Sequence, residues 1–106
     1  SIIDEGEEIH LMQGSRESLI QRAGKVLSNA RQLIPEGHTP KGALMIYCAG
    51  CMLTIDDDIN DMLTATQQAA QDLPLLGFYT FGEQGCFLDG QNRHGNLMIS
   101  AVVFSE

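Results

Sequence analysis

The chain has 106 residues, 43% of them hydrophobic and 19% charged, with a formal net charge of −8. That length suits one domain with a single modest core, and the composition is that of a globular protein, which excludes disordered and collagen-like classes. Only six residues are Lys or Arg, too few to cluster against nucleic-acid phosphates or an anionic membrane surface.

No apolar run approaches the roughly 18 residues of a spanning helix, and no basic stretch followed by an apolar one marks a secretory leader. Three cysteines cannot all pair, which makes a poor disulfide framework and fits a reducing cytoplasm. The opening "SIIDEG" lacks a methionine and reads as a processed chain or a piece of a longer one.

Asp4, Glu5, Glu7 and Glu8 precede a short alternating run, Ile9 to Met12, that reads as a strand. The acids read as a solvated edge that discourages pairing with other strands. The spacing of Leu19, Ile20, Ala23, Val26, Leu27, Ala30, Leu33 and Ile34 predicts a helix over 15–34. Ser15 is its N-cap, and Pro35 and Gly37 stop it. His38 follows in a turn-rich connector, where a lone histidine is usually just solvated. "GALMIYCA" has the continuous apolar character of a strand buried on both faces.

A second helix is expected to start near Thr54, where Thr54-x-x-Asp57 resembles a capping box. Its stripe is Ile55, Ile59, Met62, Leu63, Thr66, Ala69, Ala70 and Leu73. Asp56, Asp57, Asp58 and Asp61 suit the positive end of that helix, and no glycine or Glu spacing of a calcium loop follows. Two more strands are expected in "LPLLGFYTFG" and "NLMISAVVF", joined by a long Gly-rich link. The order is β-α-β-α-β-β: an α/β fold with a mixed sheet of about four strands and two helices on one face. Residues 43–49, 75–81 and 97–104 are apolar at odd and even positions alike. A partner domain or subunit is therefore expected to bury the other face.

Cys48-Ala-Gly-Cys51 has the C-x-x-C spacing of dithiol redox sites and of one zinc knuckle. A redox site needs its first cysteine at a helix N-terminus, whereas a helix starting near Thr54 leaves Cys48 in the strand. Zinc needs a second ligand pair, and Cys86 with His94 is not a knuckle spacing. The two thiols read as small buried residues at a turn. The second constellation is the loop from Gly82 to Asn96. Glu83 follows a buried strand directly, where open α/β sheets place ligand-binding groups. Cys86 with His94 as nucleophile and base lacks an orienting third group.

"KGALMIYCAG", an acidic helix, "DLPLLGFYTFGEQG" and "NRHGNLMISAVV" together resemble the C-terminal domain of the FIST family, intracellular sensory proteins of signal transduction. The resemblance is loose before residue 40 and close from 41 to 104. The family's C-x-G-R pattern falls on Cys48, Gly50 and Cys51, with cysteine in place of arginine. Its GFY-T-x-GE pattern falls on Gly77, Phe78, Tyr79, Thr80, Gly82 and Glu83, intact, with Gln84 where isoleucine is usual. A histidine-asparagine pair survives as His94-Gly95-Asn96, and a usual threonine is Met98.

The resemblance implies a cytoplasmic, non-enzymatic, ligand-sensing domain that follows a FIST N-terminal domain covering the bare sheet face. It also implies links to a histidine kinase, a cyclic-dinucleotide enzyme or a chemoreceptor, and amino-acid-like ligands. The expected site lies between the 48–53 turn and the 82–96 loop: Glu83 accepts from a cationic or amide group, with Tyr79, Asn96 and Arg93 as secondary contacts and Cys48, Gly50 and Cys51 as the facing turn. Arg93 stands in for the missing arginine. No cofactor is expected. The rival readings are a haem-based nitric oxide sensor with His94, His10 or His38 as axial ligand, a dithiol redox or zinc protein, and a homodimerisation module.

Overall fold

The computed structural model describes residues 3–11 and 13–106. The first helix, α1 (Arg16–Gln32), begins where the serine predicts it: Ser15 has extended backbone angles, and its Oγ accepts from the Ser18 amide at 3.1 Å. Its last turn closes through Leu33 and Ile34 amides donating to Ala30 and Arg31 carbonyls. Ala23, Gly24 and Leu27 are its buried face.

Strand β1 (Pro40–Cys48) is the centre of a three-stranded sheet of order β2-β1-β5, with β2 spanning Leu75–Thr80 and β5 Ile99–Ser105. It runs parallel to β2, with Tyr47 opposite Tyr79, and antiparallel to β5, with Tyr47 opposite Ile99. A parallel pair needs a crossover, which here is helical throughout. The short helix α2 (Ala49–Thr54) starts directly at the strand end, a 3-10 turn covers Asp56–Asp58, and α3 (Ile59–Ala70) follows. The helix expected from Thr54 therefore starts five residues earlier and is broken. The break is at Ile55, which is fully buried and whose carbonyl accepts from the Asp58 amide at 2.8 Å. Burying Ile55 outweighs the capping-box pattern, and Asp58, the N-cap of α3, makes no side-chain cap bond. Asp57 and Asp58 instead meet Arg16 at the start of α1.

Strand alternation sends Ala43, Met45 and Tyr47 to one face, where α1 and α3 cover them together with Ile99, Leu27, Ile55 and Met62. Both helices lie on this face, as expected for the mixed α/β fold. Their close approach rests on Gly24: a Cβ there would stand 2.8 Å from the Ala65 carbonyl oxygen. The opposite face is apolar and bare, with Leu76, Phe78, Val102 and Phe104 each at least half exposed.

Two elements differ from expectation. No strand forms over Ile9–Leu11, both ends of which are exposed, and Met12 lies outside the described residues. A run of two outward apolar residues buries too little to offset the entropy of ordering it, so the main sheet has three strands. The Gly-rich link, in contrast, folds into a hairpin of β3 (Glu83–Cys86) and β4 (Asn92–Gly95). It packs so tightly on β5 that a Cβ at Gly85 would stand 2.9 Å from the Ser100 hydroxyl.

Candidate functional site around Glu83

Glu83 is the first residue of β3, immediately past the Phe81–Gly82 bend that ends β2. It is 1% exposed. Its Oε1 accepts from the Thr80 hydroxyl at 2.9 Å, while Oε2 is buried without a donor among the described residues. A buried polar oxygen left without a partner costs about 1–3 kcal/mol, so this one needs an account.

The 48–51 turn lies close enough to Glu83 for its carboxylate to act on Cys51. Cys48 caps α2 with its backbone, its amide donates to the Met98 carbonyl at 3.2 Å, and Cys51 lies in the first turn. Both thiols are free and buried. Burial pushes the Cys51 thiol up to about 11, and negative charge on Cys48 or Glu83 would push the same way, while Arg22 opposes. Tyr47 is raised to about 12, again chiefly by burial, and its hydroxyl donates to the Leu19 carbonyl at 3.2 Å.

C-x-x-C thus does sit at a strand-to-helix junction, contrary to expectation. Yet the helix has six residues, and at Cys51 burial prevails, holding the thiol protonated at neutral pH. A short helix of this kind adds little dipole to favour a thiolate. Among the described residues no group of three or more His, Cys, Asp or Glu side chains is placed to hold a metal ion.

The remaining expected residues are not gathered at Glu83. Tyr79 points to the helix-covered face and meets the Tyr47 ring edge-on at 6.1 Å. Arg93 is turned to the hairpin tip, where it forms a two-pronged pair with Asp89 at 2.7 and 3.1 Å and lies over the Phe87 ring at 4.8 Å. Asn96 is exposed in the link to β5. Haem needs an apolar slot with an imidazole at its wall. His10, His38 and His94 are all exposed, and no histidine lines the apolar cleft between α3 and β2. The residues present do not fit that group.

Sequence reasoning missed Arg22. From α1 its Nη1 donates to the Leu97 carbonyl at 3.3 Å, and it lies close enough to favour the ionised forms of Cys51 and Tyr47. Its position, three residues after Leu19 and four before Val26, puts it beside the buried stripe and was the available signal. Leu97 has φ 60°, unfavourable for a leucine, and its side chain lies near Gly50. The 96–98 link thus lies over the turn at 48–51, held by Arg22 at the Leu97 carbonyl and by the Cys48 amide at the Met98 carbonyl.

The FIST C domain family matches residues 1–86. The chain belongs to the FIST C domain family. No curated protein and no solved structure matches it. The match reaches the end of β3, so it includes Cys48, Thr80 and Glu83 but not Arg93, His94 or Asn96. For this FIST C domain, membership gives its role a class, that of a sensory domain in signal transduction, and leaves ligand and partner to the chemistry of the site.

Proposed function

We propose that this FIST C domain is the ligand-sensing half of a cytoplasmic signalling protein, and that it binds rather than transforms a small amino-acid-like molecule. The observation that supports this is the buried Glu83 oxygen with no donor among the described residues. An ammonium or amide N–H of the ligand donates to Oε2, while Thr80 keeps the carboxyl oriented through Oε1. Arg22 sits at the edge of the site, suited to a ligand carboxylate. Because Glu83 is enclosed, the ligand enters only when the 96–98 link moves. The strained Leu97 backbone lowers the cost of that opening.

Signalling requires the ligand to favour one arrangement over another, since it shifts an equilibrium only by its differential affinity. The bare sheet face of Leu76, Phe78, Val102 and Phe104 is where a FIST N-terminal domain docks, or a second copy in its absence. The opening of the 96–98 link, next to β5, is transmitted there and on to a kinase, a cyclic-dinucleotide enzyme or a chemoreceptor.

The test is a thermal-shift screen of amino acids and their amides on wild type, Glu83→Gln and Arg22→Ala. A hit should raise the wild-type midpoint and leave Glu83→Gln unshifted. Equal shifts in wild type and Glu83→Gln would remove Glu83 from the site.

A further inference from the structure

We propose that the domain has a second binding site, independent of Glu83, for a small neutral aromatic compound. It is the cleft of about 460 Å³ between α3 and the open edge strand β2, a volume within the range of small-molecule pockets. Tyr47 and Tyr79 form an aromatic wall, their rings edge-on to each other. The Met45 and Met62 side chains supply adaptable thioether surface, which favours contact with ring edges.

The chemistry of the lining selects the ligand. None of the lining residues carries a charge, so an ion entering it would lose its hydration without compensation. The two buried hydroxyls are already committed: Tyr47 donates to the Leu19 carbonyl and Thr66 to the Met62 carbonyl at 2.8 Å. The interior therefore asks for an apolar body. Polar recognition is confined to the mouth, where Gln67 and Gln71 are exposed and Gln71 Oε1 is held only by a 3.4 Å contact with Arg31. A planar ring with one N–H or O–H at its end satisfies both zones. This is the opposite selection from that at Glu83, and neither site depends on the other.

Gly77 provides the control. It lines the cleft from β2, and a Cβ there meets nothing closer than the Met45 carbonyl oxygen at 3.7 Å. Valine, a good strand residue, places its Cβ there at ordinary contact distance and its two methyls in the cleft.

Indole is the probe, titrated into the ¹⁵N-labelled chain with amide shifts followed by NMR. Saturable shifts are expected at Gly77, Tyr79 and Thr66, unchanged in Glu83→Gln. Gly77→Val should weaken binding at least tenfold while keeping a cooperative melt. Gln67→Ala, at an exposed position that the fold does not need, should weaken it severalfold and decides the matter should Gly77→Val fail to fold. No saturable shift, shifts centred on Val102 and Phe104 of the bare face, or wild-type affinity in a folded Gly77→Val or in Gln67→Ala would overturn the proposal.

Discussion

The Thr80 hydroxyl holds one oxygen of Glu83 at 2.9 Å, and the other oxygen of the same buried carboxyl has no donor among the described residues. The pair is therefore half satisfied. Thr80→Val removes the donor and should destabilise the domain by about 1–3 kcal/mol, the cost of a second orphaned oxygen. The double variant Thr80→Val, Glu83→Met replaces both partners with apolar groups of similar size and should regain most or all of that loss. Urea unfolding of the single and double variants checks this. Additive losses would mean that the two side chains are not coupled.

Gly24 marks the crossing of α1 and α3. Alanine is the better helix former by about 1 kcal/mol, so Gly24→Ala would stabilise an isolated helix. Here the new methyl would stand 2.8 Å from a backbone oxygen, that of Ala65, and the helices must separate. Overpacking of this kind costs about 1–3 kcal/mol, so after the gain of about 1 kcal/mol in helix propensity a net loss of up to about 2 kcal/mol is expected in thermal or urea melts, and a net gain would show that the helices separate without cost.

Arg31 ties the end of α1 to the end of α3. Its Nη1 donates to the carbonyls of Ala69 and Ala70, both at 3.0 Å, which are among the last of the helix. A cation at that position adds a donor at the last carbonyls, of which Ala70's also accepts from the Leu73 amide at 3.1 Å, and answers the negative end of the helix dipole. Arg31→Met keeps the aliphatic stem and should cost about 1–2 kcal/mol, with faster amide exchange in the last turn of α3. Unchanged exchange there would assign the loss elsewhere.

How much of this was legible depends on how local each feature is. Ser15 and α1 were readable because the cap and the stripe lie within one continuous segment. The bare face was readable from strands that carry apolar residues at odd and even positions alike. The start of α2 was not: Cys48 caps without a side-chain bond, so its residue type carries no signal, whereas Thr54 carries a signal that burial of Ile55 overrides. Position alone pointed to Glu83. Its burial and its orphaned oxygen arise from pairing Glu83 with Gly95, twelve residues on, in a hairpin that the glycine-rich link did not announce. Arg93 was expected at Glu83 because it faces that loop, but Asp89, four residues away across the hairpin tip, is nearer. A local ion pair forms without the entropy of closing a longer loop.

The raised values of Cys51 and Tyr47 give the domain a defined alkaline limit. Cys51 moves from 9.0 to about 11 on folding and Tyr47 from 10.0 to about 12, burial being the main cause of each. Below pH 9 both groups keep their protons in both states and contribute no pH dependence. As the pH rises past 9, the unfolded chain releases the Cys51 proton while the folded chain retains it, so the unfolded state binds fewer protons and stability falls. Above about 11 both states have released it and this slope ends. Tyr47 repeats the pattern between 10 and about 12. Stability measured by urea unfolding should therefore decline between pH 9 and 12. Cys51→Ala should lose the part of the decline between 9 and 11, and Tyr47→Phe the part between 10 and 12. Tyr47→Phe should also give up about 1 kcal/mol at pH 7 for the bond to the Leu19 carbonyl. A wild-type decline retained in full by Cys51→Ala would show that the thiol is no more buried in the folded chain than in the unfolded one.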